Sequence, residues 1–426
     1  MLASGIWLTA GRVCAIAVIS GVLGAAMLAF LALAGKGTLD PFGQPIGTDF
    51  SAFWHAGRIA NGGNPAAAWD LETLNAAVRA THGGSDFATA WVYPPVFLLI
   101  AAPLAALPYL HALLIWQVLG VTLIAWALSA ILRDRLAVLV CLASPLTPMV
   151  LGHGQNAFLT SALLGGGLLA VAAARPGLAC LFGALVCKPQ LGIQVAPLLV
   201  FTRNWVAIGA SLLVSFLLIG ASLLLWGTEA WLAFVESTPH PRRFMENGAV
   251  GHYKSASLFS TARHWGAPPG ASYLLQAVGA FAAMAMLWRL RAASPFVLCA
   301  AACSAIALST PYLLDYDMTV VGLGAAFLYA EARKRTFLPY EKTALAYIWA
   351  APWFGRQAAE IAYVPLLPVS MLLLAVLAYR RAMNRPPAGP VGTPYPMAGM
   401  LPWATQSPRQ RKPHRVASRC SRRAPD

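Results

Sequence analysis

Three aspartates at the edges of apolar segments could act as a general base. Asp49 stands in Gly47-Thr-Asp-Phe50, and Asp315 and Asp317 lie two residues apart in Pro311-Tyr-Leu-Leu-Asp-Tyr-Asp317. A single carboxylate is enough to deprotonate an attacking hydroxyl when the leaving group is already good, as a phosphate is. Position alone also permits simpler interpretations. Asp49 would cap the N-terminus of a helix, and the other two would belong to a belt of Tyr and Asp at a membrane interface.

Polar residues interrupt the apolar runs at three further places. These are Tyr93-Pro-Pro95, Gly152-His-Gly-Gln-Asn156 and Lys188-Pro-Gln190. The first could simply begin a helix, because proline suits a first turn. The amides of Gln155 and Asn156 could hydrogen-bond a sugar, or the segment could be only a polar turn. A lysine inside an apolar segment needs a partner or a function, unless it snorkels to the interface.

Cations and histidines crowd a polar stretch at about 227–270. Its cations are Arg242, Arg243, Lys254 and Arg263, and its histidines are His240, His252 and His264. Lysine and arginine gather in cytoplasmic loops, so this many cations in an outer loop require a reason. A bound anionic phosphate is the simplest one. A merely solvated loop stays open as the alternative, because long loops escape the charge rule.

The composition identifies the kind of protein that must position these residues. Of the 426 residues, 58% are hydrophobic and 11% are charged, and the mean hydropathy is +0.64. Soluble globular chains carry about 25% charged residues, so a soluble enzyme is excluded, as are disordered and fibrous proteins. Continuous apolar runs near the ~20 residues of a membrane span recur. They predict an all-α polytopic membrane protein and exclude a β-barrel, whose strands alternate.

Charge and cysteine content exclude other classes. The net charge of +15 is explained by cytoplasmic loops, and no nucleic-acid motif is present, so nucleic acid is not a predicted partner. The seven cysteines form no CxxC pair and no Cys/His cluster with zinc-like spacing. No metal and no other cofactor is therefore predicted.

Hydropathy predicts about 11–13 transmembrane or re-entrant helices within residues 1–383. The first, at 13–34, is too long for a cleaved signal peptide. Cation clusters at 289–291, 333–335 and 380–381 mark the cytoplasmic side, which leaves extracytoplasmic loops at about 35–93 and 227–270. Within the first loop, 49–60 predicts an interfacial helix with Phe50, Phe53 and Trp54 on one face. The basic, proline-rich tail at 384–426 is predicted to be disordered and cytoplasmic.

Two topologies fit the stretch 94–201. In one, segment 94–107 crosses the membrane and 177–201 is a single span. In the other, 94–107 dips back and 177–201 is a hairpin with Lys188 near the outer face. Span length favours the first topology, whereas a cytoplasmic position for Arg133, Arg135 and Arg175 favours the second.

The ordered set of motifs resembles glycosyltransferase family 87, the bacterial polyprenyl-phosphate-mannose-dependent mannosyltransferase-like proteins of the GT-C superfamily. The resemblance covers about residues 12–380. The residues that carry it are Asp49-Phe50 with Trp54, Tyr93-Pro-Pro95, Gly154-Gln-Asn156, Lys188-Pro-Gln190, Pro197, Arg203-Asn-Trp205, Ser257-Leu-Phe259 before Arg263, and Asp315-Tyr-Asp317.

The resemblance implies a GT-C transmembrane bundle whose active site faces away from the cytoplasm. It also implies a donor whose sugar is carried on a polyprenyl phosphate, and it makes Asp49 the catalytic base. One position departs from the family: Tyr312 follows Pro311 where some members are expected to have histidine.

The resulting hypothesis is an inner-membrane hexosyltransferase that uses a polyprenyl-phosphate sugar, with mannose as the expected hexose. Asp49 would deprotonate an acceptor hydroxyl of a glycolipid or glycan, and the transfer would invert the sugar. Cations would stabilise the departing phosphate, namely Lys188, Arg242, Arg243 and Lys254. The other predicted substrate-binding residues are Tyr93, Gln155, Asn156, Gln190, Arg263, Tyr312, Asp315 and Asp317. The rival hypotheses are a transporter or flippase of a lipid-linked sugar and a membrane scaffold without activity.

Overall fold

The computed structural model describes residues 1–83 and 85–384, and these residues are mainly helical. They contain no β-strand, only three isolated bridges such as Ser255 with Leu314. The tail predicted at 384–426 lies outside the described residues, apart from Asn384.

Seventeen α-helices follow one another in the described part of the chain. They are α1 (Ala10–Leu33), α2 (Thr48–Asn61), α3 (Leu71–Thr81), α4 (Leu98–Ala105), α5 (Tyr109–Leu132), α6 (Arg135–Leu142), α7 (Leu146–His153), α8 (Ala157–Ala172), α9 (Val195–Phe201), α10 (Trp205–Ser237), α11 (Pro239–Glu246), α12 (Leu258–His264), α13 (Pro269–Leu290), α14 (Pro295–Ser309), α15 (Thr319–Lys334), α16 (Glu341–Ala362) and α17 (Leu366–Met383). Short 3-10 helices occupy Pro65–Trp69, Pro95–Phe97, Pro176–Cys187, Pro189–Leu191, His252–Lys254 and Asp315–Met318.

The helices confirm the predicted all-α polytopic membrane architecture. Five helical stretches are long and apolar enough to cross a membrane: α1, α5, Trp205–Glu246, α13 and α17. The pair α6 and α7 forms a sixth candidate that bends by 54°. Five shorter apolar segments add to these, namely Pro95–Ala105, Ala157–Ala172, Pro176–Cys187, Pro189–Phe201 and Pro295–Ser309.

Helix α14 forms the centre of the bundle. Every residue from Phe296 to Ser309 is buried, and the helix packs against α8, α13, α15 and α17. A helix that is apolar on all sides is expected to be enclosed by other helices. By contrast, α1 exposes Ile16, Val18 and Val22, as expected of a helix that borders lipid.

One end of the bundle, here called the N-terminal end, gathers the first residues of the chain and several charged turns. The backbone N–H of Tyr340 donates to Ala3 O over 2.7 Å, and Arg333 forms an ion pair with Asp134. The turn between α5 and α6 therefore lies at the same end as the cation cluster at 333–335. The charge pattern of the sequence predicts that this cluster faces the cytoplasm.

The opposite end, here called the Asp49 end, decides between the two topologies of residues 94–201. Tyr109 Oη donates to Ile46 O over 2.7 Å, and Tyr93 Oη donates to Gln155 Oε1. The segment between these two tyrosines therefore starts and finishes at the Asp49 end. Lys188 also lies at this end, where Nζ contacts Asn156. The dipping segment 94–107 and the hairpin at 177–201 are thus the observed arrangement.

Helix α2 forms where the sequence places it, but its predicted interfacial position is wrong. Phe50, Phe53 and Trp54 are 0%, 2% and 6% exposed. The Phe53 ring packs edge-on against Phe97 and Trp116, with centroid distances of 5.1 and 6.1 Å. Edge-to-face contacts of this kind are favourable between aromatic rings. The aromatic face of α2 thus anchors the first loop on α4 and α5 rather than on lipid.

The second polar stretch is partly helical. Gly227 is a break in α10 with φ 73°, a value that suits glycine. Beyond this break the chain stays helical to Ser237, and α11 follows at once. The predicted loop start at 227 therefore coincides with this break, although the segment that follows it is helical.

Candidate active site

The turn between α7 and α8 places Gln155 against the first turn of α2. Gly154 closes α7 in the left-handed conformation with φ 63°. A Cβ at this position would lie 2.6 Å from the Cβ of Phe50, so only glycine permits the approach. Trp116 Nε1 also donates to Gly154 O over 3.0 Å and fixes the turn.

The oxygen and the nitrogen of the Gln155 side-chain amide both form hydrogen bonds. Its Oε1 accepts hydrogen bonds from Tyr93 Oη (3.2 Å) and from the backbone N–H of Asn156 (2.9 Å). Its Nε2 donates to Asp49 Oδ2 (2.8 Å) and to Tyr316 Oη (3.0 Å). Because a backbone N–H can only donate, Oε1 must face Asn156, and the amide nitrogen must face Asp49.

Asp49 is the second residue of α2 and does not cap the helix. The N-cap is Gly47, with φ 75°, and no side chain caps the helix end. The Asp49 carboxylate is partly exposed and accepts its side-chain hydrogen bond from Gln155. Among the described residues, no Lys, Arg or His side chain forms an ion pair with it.

Lys188 and Asp317 form a buried ion pair beside Gln155. Lys188 Nζ lies 2.6 Å from Asp317 Oδ1, and the two side chains are 5% and 3% exposed. Lys188 also donates to Asn156 Oδ1 over 3.3 Å. These contacts exclude snorkelling for Lys188 and an exposed interfacial position for Asp317. The Nδ2 of Asn156 is buried without a hydrogen-bond partner among the described residues, so it is available as a donor.

Asp315 is also paired, with an arginine that the sequence analysis missed. Arg356 of α16 forms an ion pair with Asp315, and its NH2 donates to Asp315 Oδ1 over 3.0 Å. The same NH2 lies 3.1 Å from His153 Nε2. His153 Nδ1 in turn lies 2.8 Å from Thr48 Oγ1. The available signal was an arginine at the predicted outer end of a span, which the charge rule disfavours.

The loop that leads into Asp49 is held at three points. Thr38 Oγ1 pairs with His82 Nδ1 over 2.8 Å, and Ser85 Oγ donates to Gly43 O over 2.7 Å. Tyr109 Oη donates to Ile46 O. Burial lowers the pKa of His82 to about 4, so its ring is neutral near pH 7. The position of Asp49 is therefore fixed from the first loop as well as from the α7–α8 turn.

Cations of the second loop are engaged locally rather than with the Asp49 carboxylate. Arg242 pairs with Glu246, which also accepts a hydrogen bond from Tyr273. The two terminal nitrogens of Arg263 donate to the carbonyl oxygens of Ala267 and Glu246 over 2.6 and 2.9 Å. The Arg263 side chain therefore links two parts of the second loop to each other.

The remaining predicted residues make weaker contacts. Lys254 Nζ lies 5.7 Å from the centre of the Tyr253 ring. Within the described chain, Arg243, Gln190 and Lys254 make no side-chain hydrogen bond or ion pair, and Arg243 is exposed. Burial raises the pKa of Tyr312, and Arg242 opposes that shift, so these two side chains lie within electrostatic range of each other.

A backbone connection joins the second loop to the acidic segment. The Ala256 N–H donates to Leu313 O over 2.7 Å, and Ser255 Oγ donates to the same oxygen over 2.9 Å. The second loop therefore lies next to Asp315. No group of three or more His, Cys, Asp or Glu in residues 1–83 and 85–384 could hold a metal ion.

Comparison with known protein families identifies the family of this chain. The model of glycosyltransferase family 87 matches residues 91–314, which is more than half of the chain. The chain belongs to glycosyltransferase family 87. The resemblance seen in the motifs is thereby confirmed, and this family member is a membrane glycosyltransferase. A search of curated proteins and a search of solved structures each gave no match.

The matched residues of this family member include only part of the site. Tyr93, Gln155, Asn156 and Lys188 lie inside the matched range, whereas Asp49 precedes it and Asp317 follows it. Direct contacts nevertheless join the two groups, because Gln155 binds Asp49 and Lys188 binds Asp317.

Proposed function

We propose that this glycosyltransferase moves a hexose, with mannose as the proposed sugar, from a polyprenyl phosphate to an acceptor hydroxyl. The acceptor is a glycolipid or glycan. The reaction takes place at the extracytoplasmic face of the cell inner membrane. The distribution of charge supports this orientation, because the cation cluster at 333–335 lies at the N-terminal end and the carboxylates lie at the opposite one.

A difference among three carboxylates supports Asp49 as the base. Asp315 is paired with Arg356, and Asp317 is paired with Lys188. Asp49 has a neutral amide as its hydrogen-bond partner and is partly exposed. A carboxylate that is held by a cation and enclosed in the protein cannot approach a substrate hydroxyl, and Asp315 and Asp317 are both buried. Asp49 is therefore the carboxylate that can both reach a substrate and accept a proton.

The proposed reaction is a single displacement at the anomeric carbon of the donor sugar. Asp49 takes the proton from the acceptor hydroxyl as the acceptor oxygen forms its bond to the anomeric carbon. The bond between that carbon and the phosphate oxygen breaks, and the electron pair leaves with the polyprenyl phosphate. The sugar configuration inverts because the attack comes from the side opposite the phosphate.

The leaving phosphate would be stabilised by donors that the protein leaves available. Arg243 and Lys254 have no acidic partner in the described part of the chain, so they are the first candidates. Lys188 and Arg242 are already paired with carboxylates and contribute less net charge. Preorganised donors of this kind stabilise charge that develops in a transition state.

The test is a transfer assay with purified protein in lipid vesicles. Radiolabelled polyprenyl-phosphate mannose, glucose and galactose are supplied separately, together with a membrane extract as the source of acceptor. A matched nucleotide sugar serves as the control donor. The proposal expects label in a larger product with the lipid-phosphate donor, highest with mannose, and none with the nucleotide sugar.

Two outcomes would overturn parts of the proposal. Transfer from the nucleotide sugar alone would refute the lipid-phosphate donor. Movement of the labelled lipid between the vesicle leaflets without any glycosyl product would favour the flippase hypothesis instead.

A further inference from the structure

The hydrogen-bond chain from Arg356 to Thr48 has a fixed direction. Arginine carries only donors, so the contact of 3.1 Å between its NH2 and His153 Nε2 requires Nε2 to accept. A ring nitrogen that accepts carries no proton, so the single proton of the neutral imidazole lies on Nδ1. His153 Nδ1 therefore donates to Thr48 Oγ1 over 2.8 Å.

This direction leaves the Thr48 hydroxyl proton free. Thr48 Oγ1 accepts from His153, so its own O–H must donate elsewhere. Within residues 1–83 and 85–384, no other acceptor forms a hydrogen bond with it. Asp49 is the next residue, but its carboxylate pairs with Gln155 and not with the Thr48 hydroxyl. Thr48 is partly exposed, as Asp49 is.

We infer that Thr48 is an acceptor-binding residue, which donates a hydrogen bond to an oxygen of the acceptor next to the hydroxyl that Asp49 deprotonates. His153 and Arg356 are positioning residues, because they set the direction of that hydrogen bond without touching the acceptor. The inference rests on the proposed function of Asp49. It adds a substrate class: the acceptor carries a second oxygen beside the reacting one, as the neighbouring hydroxyls of a sugar do.

Substitutions at Thr48 test the contact directly. Thr48→Val keeps the shape and removes the hydroxyl, whereas Thr48→Ser keeps the hydroxyl. With membrane extract as the acceptor source, Thr48→Val should raise the extract concentration for half-maximal transfer by about 10-fold to 100-fold, the range for an unmade hydrogen bond. Thr48→Ser should need an extract concentration close to that of the wild type. Binding of the radiolabelled donor should be unchanged in both variants.

Substitutions at His153 separate positioning from simple packing. The amide nitrogen of asparagine can stand where Nδ1 does, whereas glutamine reaches the place of Nε2. His153→Asn should therefore keep the donor to Thr48 and retain more activity than His153→Gln. Equal losses in both variants, with normal expression, would refute the directional role. Acceptor binding by Thr48 would be refuted if Thr48→Val needed the same extract concentration for half-maximal transfer as the wild type. It would also be refuted if Thr48→Val and Thr48→Ser needed equal concentrations.

A readout that does not need transfer keeps this inference distinct from the proposed function. Nitrogen-15 NMR of protein labelled at histidine, with the His153→Asn variant for assignment, reports which ring nitrogen carries the proton. The expected result is protonation at Nδ1. Protonation at Nε2 would overturn the inference even if the enzyme transfers sugar, whereas a correct tautomer without any transfer would count only against the proposed function.

Discussion

The Asp49 end and the second loop both bring together charged residues that the sequence singles out, but they use these charges differently. At the Asp49 end, Lys188 and Asp317 are nearly fully buried and come from segments 129 residues apart. In the second loop, Arg242 and Glu246 lie one helical turn apart, and the arginine side chain is 64% exposed. The first pair lies in the packed interior, and the second lies on the exposed surface of a helix.

The difference supports the proposed position of the active site at the Asp49 end. Removing a charge from water is expensive, so a buried pair must be held by precise contacts. Those contacts also hold Asn156 and, through the α7–α8 turn, Gln155. The exposed pair in α11 needs no such support, and within the described residues its one further side-chain hydrogen bond comes from Tyr273. In the proposed site, the paired cations at the Asp49 end hold the structure, and the cations of the second loop without an acidic partner in the described residues are the proposed contacts of the donor phosphate.

The largest expected effect on stability follows the removal of Lys188. Lys188→Met would leave Asp317 buried without its counter-ion and should lower the free energy of unfolding by about 3–5 kcal/mol. Thermal unfolding in detergent, together with the amount of folded protein in membranes, measures this effect. The double variant Lys188→Met/Asp317→Asn removes both charges and should recover most of the loss. No recovery in the double variant would show that the pair itself is not the cause.

A much smaller effect on stability is expected when the exposed ion pair of Arg242 and Glu246 is removed. Arg242→Met should lower the free energy of unfolding far less than Lys188→Met does, because surface ion pairs contribute little. The same unfolding assay compares it directly with Lys188→Met. A loss as large as that of Lys188→Met would contradict the contrast between the two regions.

The smallest effect on stability is expected for a substitution of Arg243, which should weaken donor binding instead. Arg243→Met should change the free energy of unfolding by no more than about 0.5 kcal/mol, as at other surface positions. Donor affinity should fall about 10-fold to 100-fold if the guanidinium contacts the phosphate. Equilibrium binding of the radiolabelled donor measures this. Unchanged affinity would remove Arg243 from the proposed phosphate site.

Much of the fold could be predicted because hydropathy is a local property. The apolar run of α1 and the polar stretch that follows it are visible directly, as is the helical period of α2. The surroundings of α2 could not be predicted in the same way. The rings that cover Phe53 come from Phe97 and Trp116, far along the chain, and periodicity indicates which face is apolar but not what covers it.

The candidate site was predictable as a set of residues but not as a network. Asp49 and Gln155 are 106 residues apart, and no local pattern links an aspartate to an amide at that distance. Arg356 was missed because a single arginine beside an apolar segment carries no motif. The pair of Arg242 and Glu246 could have been predicted, since a spacing of four residues on a helix brings opposite charges together.

We propose that Asp49, which forms no ion pair in the described part of the chain, accepts the proton of the acceptor hydroxyl. The most direct measurement compares sugar transfer by Asp49→Asn and by the wild type, with donor binding measured in parallel. Asp70→Asn is the matched control, because Asp70 lies in the same loop and caps α3 through Thr73, a role that asparagine fills equally well.

Asp49→Asn should lower turnover by roughly 10²–10⁴-fold, with folding and donor binding retained, while Asp70→Asn should transfer sugar at the wild-type rate. Asparagine can still accept the hydrogen bond from Gln155, so the site geometry is kept and only the base is lost. Transfer by Asp49→Asn at the wild-type rate would contradict the account and make Asp315 or Asp317 the next candidate for the base.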